Sequence, residues 1–255
     1  MIYYKRIPFD SLENARDLGG YAVPGGVTRY GVFLRSELPE HMTAADYDRM
    51  QDYGVTRSVD LRSGGEAERE PSGMLDCPGV TYISLPMFDE LAAAGSASQR
   101  KAREPGQFPG WDETYIDMLE QHRDWSRRVM ELMAEGTGCT HFHCYTGKDR
   151  TGLCTAMLLS IAGADPADIC ADYAMSMAYL SRRYARMAQM IPIGRDADGN
   201  PNLSQGFYAT SPAYMQRLLA YLERQYGGML GYLRACGVTE AVMQAIRDKL
   251  VQREP

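Results

Sequence analysis

The stretch from Cys139 to Ala162 restricts the fold more than any other part of the chain. Cys139, Thr140, His141, Phe142 and His143, entered from a turn at Gly136 and Gly138, read as a short buried strand. Residues 151–162 are apolar enough to form a helix packed inside a core. Only the turn from Cys144 to Arg150 separates the two. A buried strand that passes through a polar turn directly into a buried helix is a unit of α/β architecture, where strands and helices alternate.

The remaining sequence extends that pattern. A hairpin is expected around Pro24, Gly25 and Gly26, strands over 32–34, 55–61 and 80–85, and a helix from an N-cap at Thr43 to about Tyr53. One helix is expected over 112–134 and another from Asp165 and Pro166 toward Met190. Further helices open at Ser211–Pro212 and Thr239–Glu240. The fold class is therefore α/β, a central sheet flanked by helices with a helical C-terminal portion. No strong boundary divides the 255 residues, so one domain over 1–255 is expected. The segment 91–110 is long for a connection in a compact domain, and we expect it to serve as a lid together with 166–210.

Composition narrows the partners. A net charge of −6 argues against a general nucleic-acid or anionic-membrane binder, so any anion site must be made locally. The most apolar stretch, around 156–164, is about half the length that crosses a bilayer, and no transmembrane segment is expected. The first residues place no apolar run behind their positive charge, so no secretory signal is expected either. Cysteines at 77, 139, 144, 154, 170 and 236 form no C-x-x-C pair and no metal spacing with the four histidines. Free thiols, a cytoplasmic location, and no metal or other cofactor are the expectation.

The turn itself carries groups suited to displacement at phosphorus by sulfur. The nucleophile must be a thiolate, and a thiol with the ordinary pKa near ~8.5 is mostly protonated at neutral pH. Cys144 lies where backbone amides and a helix N-terminus would favour a negative sulfur and cradle a phosphate. The cradle would run through Tyr145, Thr146, Gly147, Lys148 and Gly152, with Gly147 giving the backbone freedom to curl. Arg150, six positions after Cys144, can return its guanidinium to the same anion and donate two parallel hydrogen bonds. Thr151 could donate its hydroxyl to the sulfur. A leaving oxygen also needs a proton. Asp149 in the turn and Asp89 after the strand 80–85 both stand as candidates, with Asp149 preferred.

The run His143-Cys-Tyr-Thr-Gly-Lys-Asp-Arg-Thr-Gly152 resembles the signature loop of the protein-tyrosine phosphatase superfamily. It particularly resembles the loop of the atypical bacterial tyrosine/serine phosphatases, which reads H-C-x-x-G-K-D-R-T. Asn14 to Gly20, Leu34-Arg35-Ser36, Asp60 to Ser63, Glu66, Glu68, Arg69, Pro71, Asp172-Tyr173 and Ser176 fit the same family, as do Tyr226-Gly227-Gly228 and Tyr232-Leu233. Ala15 stands where many relatives carry a larger residue. The resemblance implies a tyrosine-phosphatase-like fold, a phosphocysteine intermediate on Cys144, phosphate binding by Arg150 and acid–base work by Asp149. It implies a phosphorylated protein as substrate, phosphotyrosine first and phosphoserine or phosphothreonine also, with inorganic phosphate as product. Lys148, one of four lysines, resembles a feature of members that act on phosphoinositides, which makes a phosphoinositide the alternative substrate. A phosphate-binding module without turnover would not need the thiol.

Plainer roles stand beside these. His143 reads as a hydrogen-bonded structural residue, Asp149 as a partner for Lys148, Asp89 as a turn residue, and Arg16 with Asp17 as an ion pair. Arg62 reads as structural and Cys154 as a core thiol, although Cys154 could also bond Cys144 on oxidation. Tyr173, Met175, Met177, Tyr179, Tyr184 and Met187 read as packing.

Overall fold

The computed structural model describes residues 5–88, 110–187 and 208–253. Short strands come first: β1 (Arg16–Asp17), β2 (Ala22–Val23), β3 (Gly26–Thr28) and β4 (Phe33–Ser36). They are followed by α1 (Ala44–Asp52), β5 (Val55–Asp60), α2 (Gly64–Arg69) and β6 (Thr81–Ser84). Next come α3 (Trp111–Gln121), α4 (Arg123–Ala134), β7 (Cys139–His143), α5 (Asp149–Ala162), α6 (Pro166–Tyr179) and α7 (Ser181–Met187). The described chain closes with α8 (Pro212–Tyr226), α9 (Met229–Ala235), α10 (Glu240–Leu250) and β8 (Val251–Arg253).

Every residue of β7 is buried, which suits a central strand covered on both faces. The main sheet runs β1-β4-β7-β5-β6, with β4, β7, β5 and β6 parallel and β1 antiparallel to β4. Ser36 pairs with His143 on one side and Asp60 pairs with it on the other, so three strand ends finish level. The turn after His143 therefore leaves from the carboxyl edge of a parallel sheet, where α/β folds place their ligands. Beneath that edge, His141 is held at both ring nitrogens, 2.8 Å from Ser36 Oγ and 2.8 Å from Ser58 Oγ. A buried ring with both nitrogens satisfied stiffens the sheet at little cost.

Two apolar layers flank the sheet. The larger joins Phe33, Val59 and Phe142 to α4, α5, α6, α8, α9 and α10; the smaller joins Leu34, Val55 and Cys139 to Met50 and Tyr53. Val55 and Val59 would share a face in a regular strand. A register shift between Val55 and Arg57 moves the phase by one residue, so each valine meets a different layer.

The hairpin forms where expected, with Val23 paired to Gly26 across Pro24 and Gly25. Thr43 caps α1 in a capping box with Asp46, and Asp165 and Ser211 each accept from the amide two residues on. The expected helix over 112–134 is two helices, broken at His122, whose φ of −121° and ψ of 43° leave helical space. The break lets α4 set off so that Trp125 Nε1 donates to Leu85 O at 3.1 Å. A second expected helix, from Asp165 toward Met190, divides at the buried Leu180 into α6 and α7. Helices α2 and α9 and strand β8 were not expected. Of the segments expected as lids, 91–109 and 188–207 lie outside the described residues. Helix α6 packs Ile169, Asp172, Tyr173 and Ser176 into the body of the protein. Among the described residues, no helix is long and apolar enough to cross a membrane.

Candidate active site

Cys144 sits just past the end of β7 and is 1% exposed. Over the next residues the backbone curls. Leu38 N donates to Tyr145 O at 3.0 Å, Asn14 Nδ2 to Thr146 O at 3.1 Å, and Arg35 Nη2 to Gly147 O at 2.6 Å. Those carbonyls are pulled outward. In a trans peptide the carbonyl and the following amide point opposite ways. The amides of Thr146, Gly147 and Lys148 therefore turn into the curl, as an anion nest requires. Gly147 has φ +66°, and a Cβ there would collide with the Ser36 carbonyl and the Glu37 amide, so only glycine allows this approach.

Behind the curl lies a buried polar brace. Arg16 Nε donates to Asp172 Oδ1 at 3.0 Å, and Arg35 Nη1 donates to Asp172 Oδ2 at 2.5 Å. Arg16 also donates to Asn14 Oδ1 at 2.6 Å and to Ser176 Oγ at 3.1 Å, which fixes the amide that holds Thr146. The expected Arg16–Asp17 pair is thus corrected. Asp17 instead accepts from the amides of Gly19 and Gly31 and from Tyr53 Oη, because β1 turns the two neighbouring side chains to opposite faces. Burial pushes the Asp172 carboxyl up, but Arg16 and Arg35 outweigh it and hold the group well below the ordinary range. Burial, with Arg16 beside it, brings Arg35 down to about 10, which leaves it charged at neutral pH. Two guanidiniums share one carboxylate under the loop, so a net positive charge is built in there.

Arg150, in the first turn of α5, is gripped from outside. Its Nη1 donates to Glu66 Oε2 at 2.6 Å and its Nη2 to Glu66 Oε1 at 2.8 Å. Glu66 is placed by the start of α2, where it forms a capping box with Ser63. Burial opposes ionisation of Glu66, but Arg150 prevails and lowers it to about 2. Burial likewise disfavours charge on Arg150, while Glu66 and then Cys144 push its pKa up. The guanidinium thus feels the sulfur.

Asp149 opens α5 and accepts from Tyr115 Oη at 2.5 Å, with Lys148 Nζ 3.5 Å from the same oxygen, Oδ1. Lys148 is fully buried, donates to Ala209 O at 3.1 Å and lies 4.2 Å from the Trp111 ring centre. Burial lowers its pKa, with Asp149 and Cys144 opposing. Tyr145 is half-buried, with Arg183 over its ring. His143 is closed off, its Nδ1 3.2 Å from Cys144 O and its Nε2 3.2 Å from Ser72 Oγ. Burial, against the pull of Asp60, lowers its pKa and keeps it neutral. Cys154 is a sealed core thiol that burial pushes far up.

Two expectations are corrected. The Thr151 hydroxyl is buried and makes no hydrogen bond among the described residues, so it does not donate to the sulfur in this state. Gly152 is not part of the cradle. Its amide donates to Lys148 O at 2.8 Å within α5, and its α-carbon faces the Tyr173 ring, where a side chain would crowd the α5–α6 contact. Asp89 lies outside the described residues. Glu66 and Asp172 were noted only as fitting a family pattern, and nothing in the sequence signalled Tyr115. Among the described residues, no cluster of His, Cys, Asp and Glu could hold a metal ion.

Comparison with known proteins places the chain among relatives. A tyrosine-protein phosphatase of Nostoc commune is 29% identical over 230 residues, 86% of this chain and 74% of that one. A Cupriavidus necator relative is 30% identical over 241 residues, 89% of this chain and 82% of that one. The triple specificity protein phosphatase PtpB of Mycobacterium tuberculosis is 27% identical over 269 residues, 93% of this chain and 96% of that one. The crystal structure of P. aeruginosa TpbA covers 87% of this chain, and this chain 97% of it, at a TM-score of 0.35 and 16% identity. The sequence model of the tyrosine phosphatase family matches residues 7–252. The chain belongs to the tyrosine phosphatase family of hydrolases.

Proposed function

We propose that the chain is one catalytic domain that hydrolyses phosphotyrosine in two displacements at Cys144. The ionised sulfur attacks phosphorus, the bond from phosphorus to the tyrosyl oxygen breaks, and Asp149 gives that oxygen a proton. Water then attacks the phosphocysteine, Asp149 takes the proton back, the sulfur–phosphorus bond breaks and inorganic phosphate leaves. The inward amides of Thr146, Gly147 and Lys148, with the free N–H groups of Arg150, hold the phosphoryl oxygens as charge spreads over them. One observation carries this reading: Cys144 lies at the floor of a curl whose carbonyls are tied outward, beside a guanidinium that Glu66 aims. The six cysteines are all free, which suits a reducing compartment and favours the cytoplasm.

The name of the M. tuberculosis relative, triple specificity, motivates a wider substrate panel. A phosphoinositide ranks second, because the Lys148 ammonium is already engaged by Ala209 O, the Trp111 ring and Asp149. Phosphate release from an aryl phosphate in the presence of a chelator is expected for the wild type and not for Cys144→Ser. Retained turnover in Cys144→Ser would overturn the mechanism. Rates on a phosphotyrosine peptide, a phosphoserine peptide and a soluble phosphoinositide then order the substrates, with the first expected fastest.

A further inference from the structure

The hydrogen bonds around Asp149 determine which of its oxygens can carry a proton. Tyr115, fully buried on α3, donates to Asp149 Oδ1 at 2.5 Å, and its own oxygen lies 2.7 Å from Tyr173 Oη. A phenol has one hydrogen to give. Tyr115 gives it to the carboxylate, so Tyr173 must be the donor to Tyr115. Burial and then the nearby Asp149 raise the pKa of both phenols well above the ordinary value, so each keeps its proton. The order is therefore directional: Tyr173 to Tyr115 to Asp149 Oδ1. Lys148 Nζ approaches that same oxygen at 3.5 Å. Oδ2 accepts from none of the described side chains. When the carboxyl is protonated, Oδ1 still accepts from Tyr115, so the hydrogen resides on Oδ2.

The contact is built from the fold. Trp111 and Tyr115 are one turn apart on α3 with ring centres 5.6 Å apart, and they meet Lys148 and Asp149 respectively. Tyr173 comes from α6, three residues before Ser176 and next to Asp172, both of which join the brace behind the loop. The hydroxyl chain thus spans two helices and ends on the proposed proton donor.

We propose that Tyr115, held by Tyr173, is a positioning residue that fixes the Asp149 carboxyl with Oδ2 as the oxygen that delivers and retrieves the proton. The proposal rests on the reading of Asp149 as the donor. Its test compares an aryl phosphate with a strongly activated leaving group against one with an unactivated phenol, for wild type, Tyr115→Phe, Asp149→Asn and the double variant. An activated phenolate leaves without a proton, and an unactivated one needs it. Tyr115→Phe is expected to lower kcat about tenfold on the unactivated ester and less than about twofold on the activated one, the loss of one charge-assisted bond. In the Asp149→Asn background it is expected to add nothing.

If Tyr115→Phe slows both esters equally, or adds to Asp149→Asn, its hydroxyl serves only folding or binding. The proposal is then overturned while Asp149 stands as donor. If Asp149→Asn itself shows no dependence on leaving group, Asp149 is not the donor and both readings fall. Should Tyr115→Phe not fold, Tyr173→Phe on the same two esters decides. A smaller loss confined to the unactivated ester is expected, and an equal loss on both overturns the proposal.

Discussion

Arg150 shows how one residue is prepared for an anion before the anion arrives. A guanidinium has five N–H donors, and Glu66 takes one from each Nη, which leaves three for phosphate. Because Glu66 is lowered to about 2 from an ordinary 4.5, against the effect of burial, its pair stabilises the folded state above about pH 4.5. That contribution is lost as the pH falls toward 2. Wild-type denaturation midpoints should drop through this window, and Glu66→Gln, which cannot titrate, should lose less there while starting lower at neutral pH. Parallel curves for the two proteins would show that the pair contributes nothing to stability. This pairing was only half legible in the sequence. Ser63 and Glu66 show the spacing of a helix cap, and Arg150 stands in a loop with a recognisable pattern. That the two meet across 84 positions depends on β5 and β7 lying side by side, which no local pattern states.

At the scale of the element, the loop is held by a helix that follows it and a strand that precedes it. Helix α6 presents Asp172 to Arg16 and Arg35, and Arg35 in turn carries the Gly147 carbonyl. Removing one member of a buried charge cluster strands the others without compensation. Asp172→Asn leaves two buried guanidiniums facing a neutral amide. We expect a loss of about 3 kcal/mol in unfolding free energy, together with lost activity although Asp172 does not touch the loop sulfur. A loss under about 1 kcal/mol would mean that water reaches the two guanidiniums and solvates them well enough. Helix positions were legible where caps spoke, as at Thr43, Asp165 and Ser211. The breaks at His122 and Leu180 were not, since each occurs inside a continuous helical pattern and is imposed by what the following helix must reach.

The whole molecule is acidic, with a net charge of −6, yet Arg35, Lys148 and Arg150 meet at its loop and Arg16 stands in the brace behind it. The α/β alternation and the Cys144–Arg150 loop could be read from the sequence because each depends on neighbours along the chain. The brace could not, because Asn14, Arg35 and Asp172 come from three distant segments. This convergence has a measurable consequence. A dianion that binds only the folded chain stabilises it by about 2.7 kcal/mol at a hundredfold its Kd. For a chain of this size that corresponds to a rise in Tm of about 5–10 °C. Inorganic phosphate should therefore raise the Tm of the wild type and of Cys144→Ser by similar amounts, since the oxygens are held by amides and guanidinium rather than by sulfur. Arg150→Ala should show little rise. An equal rise in Arg150→Ala would place the bound anion elsewhere, and a rise missing from Cys144→Ser would make the sulfur part of the binding site instead of the reacting atom alone.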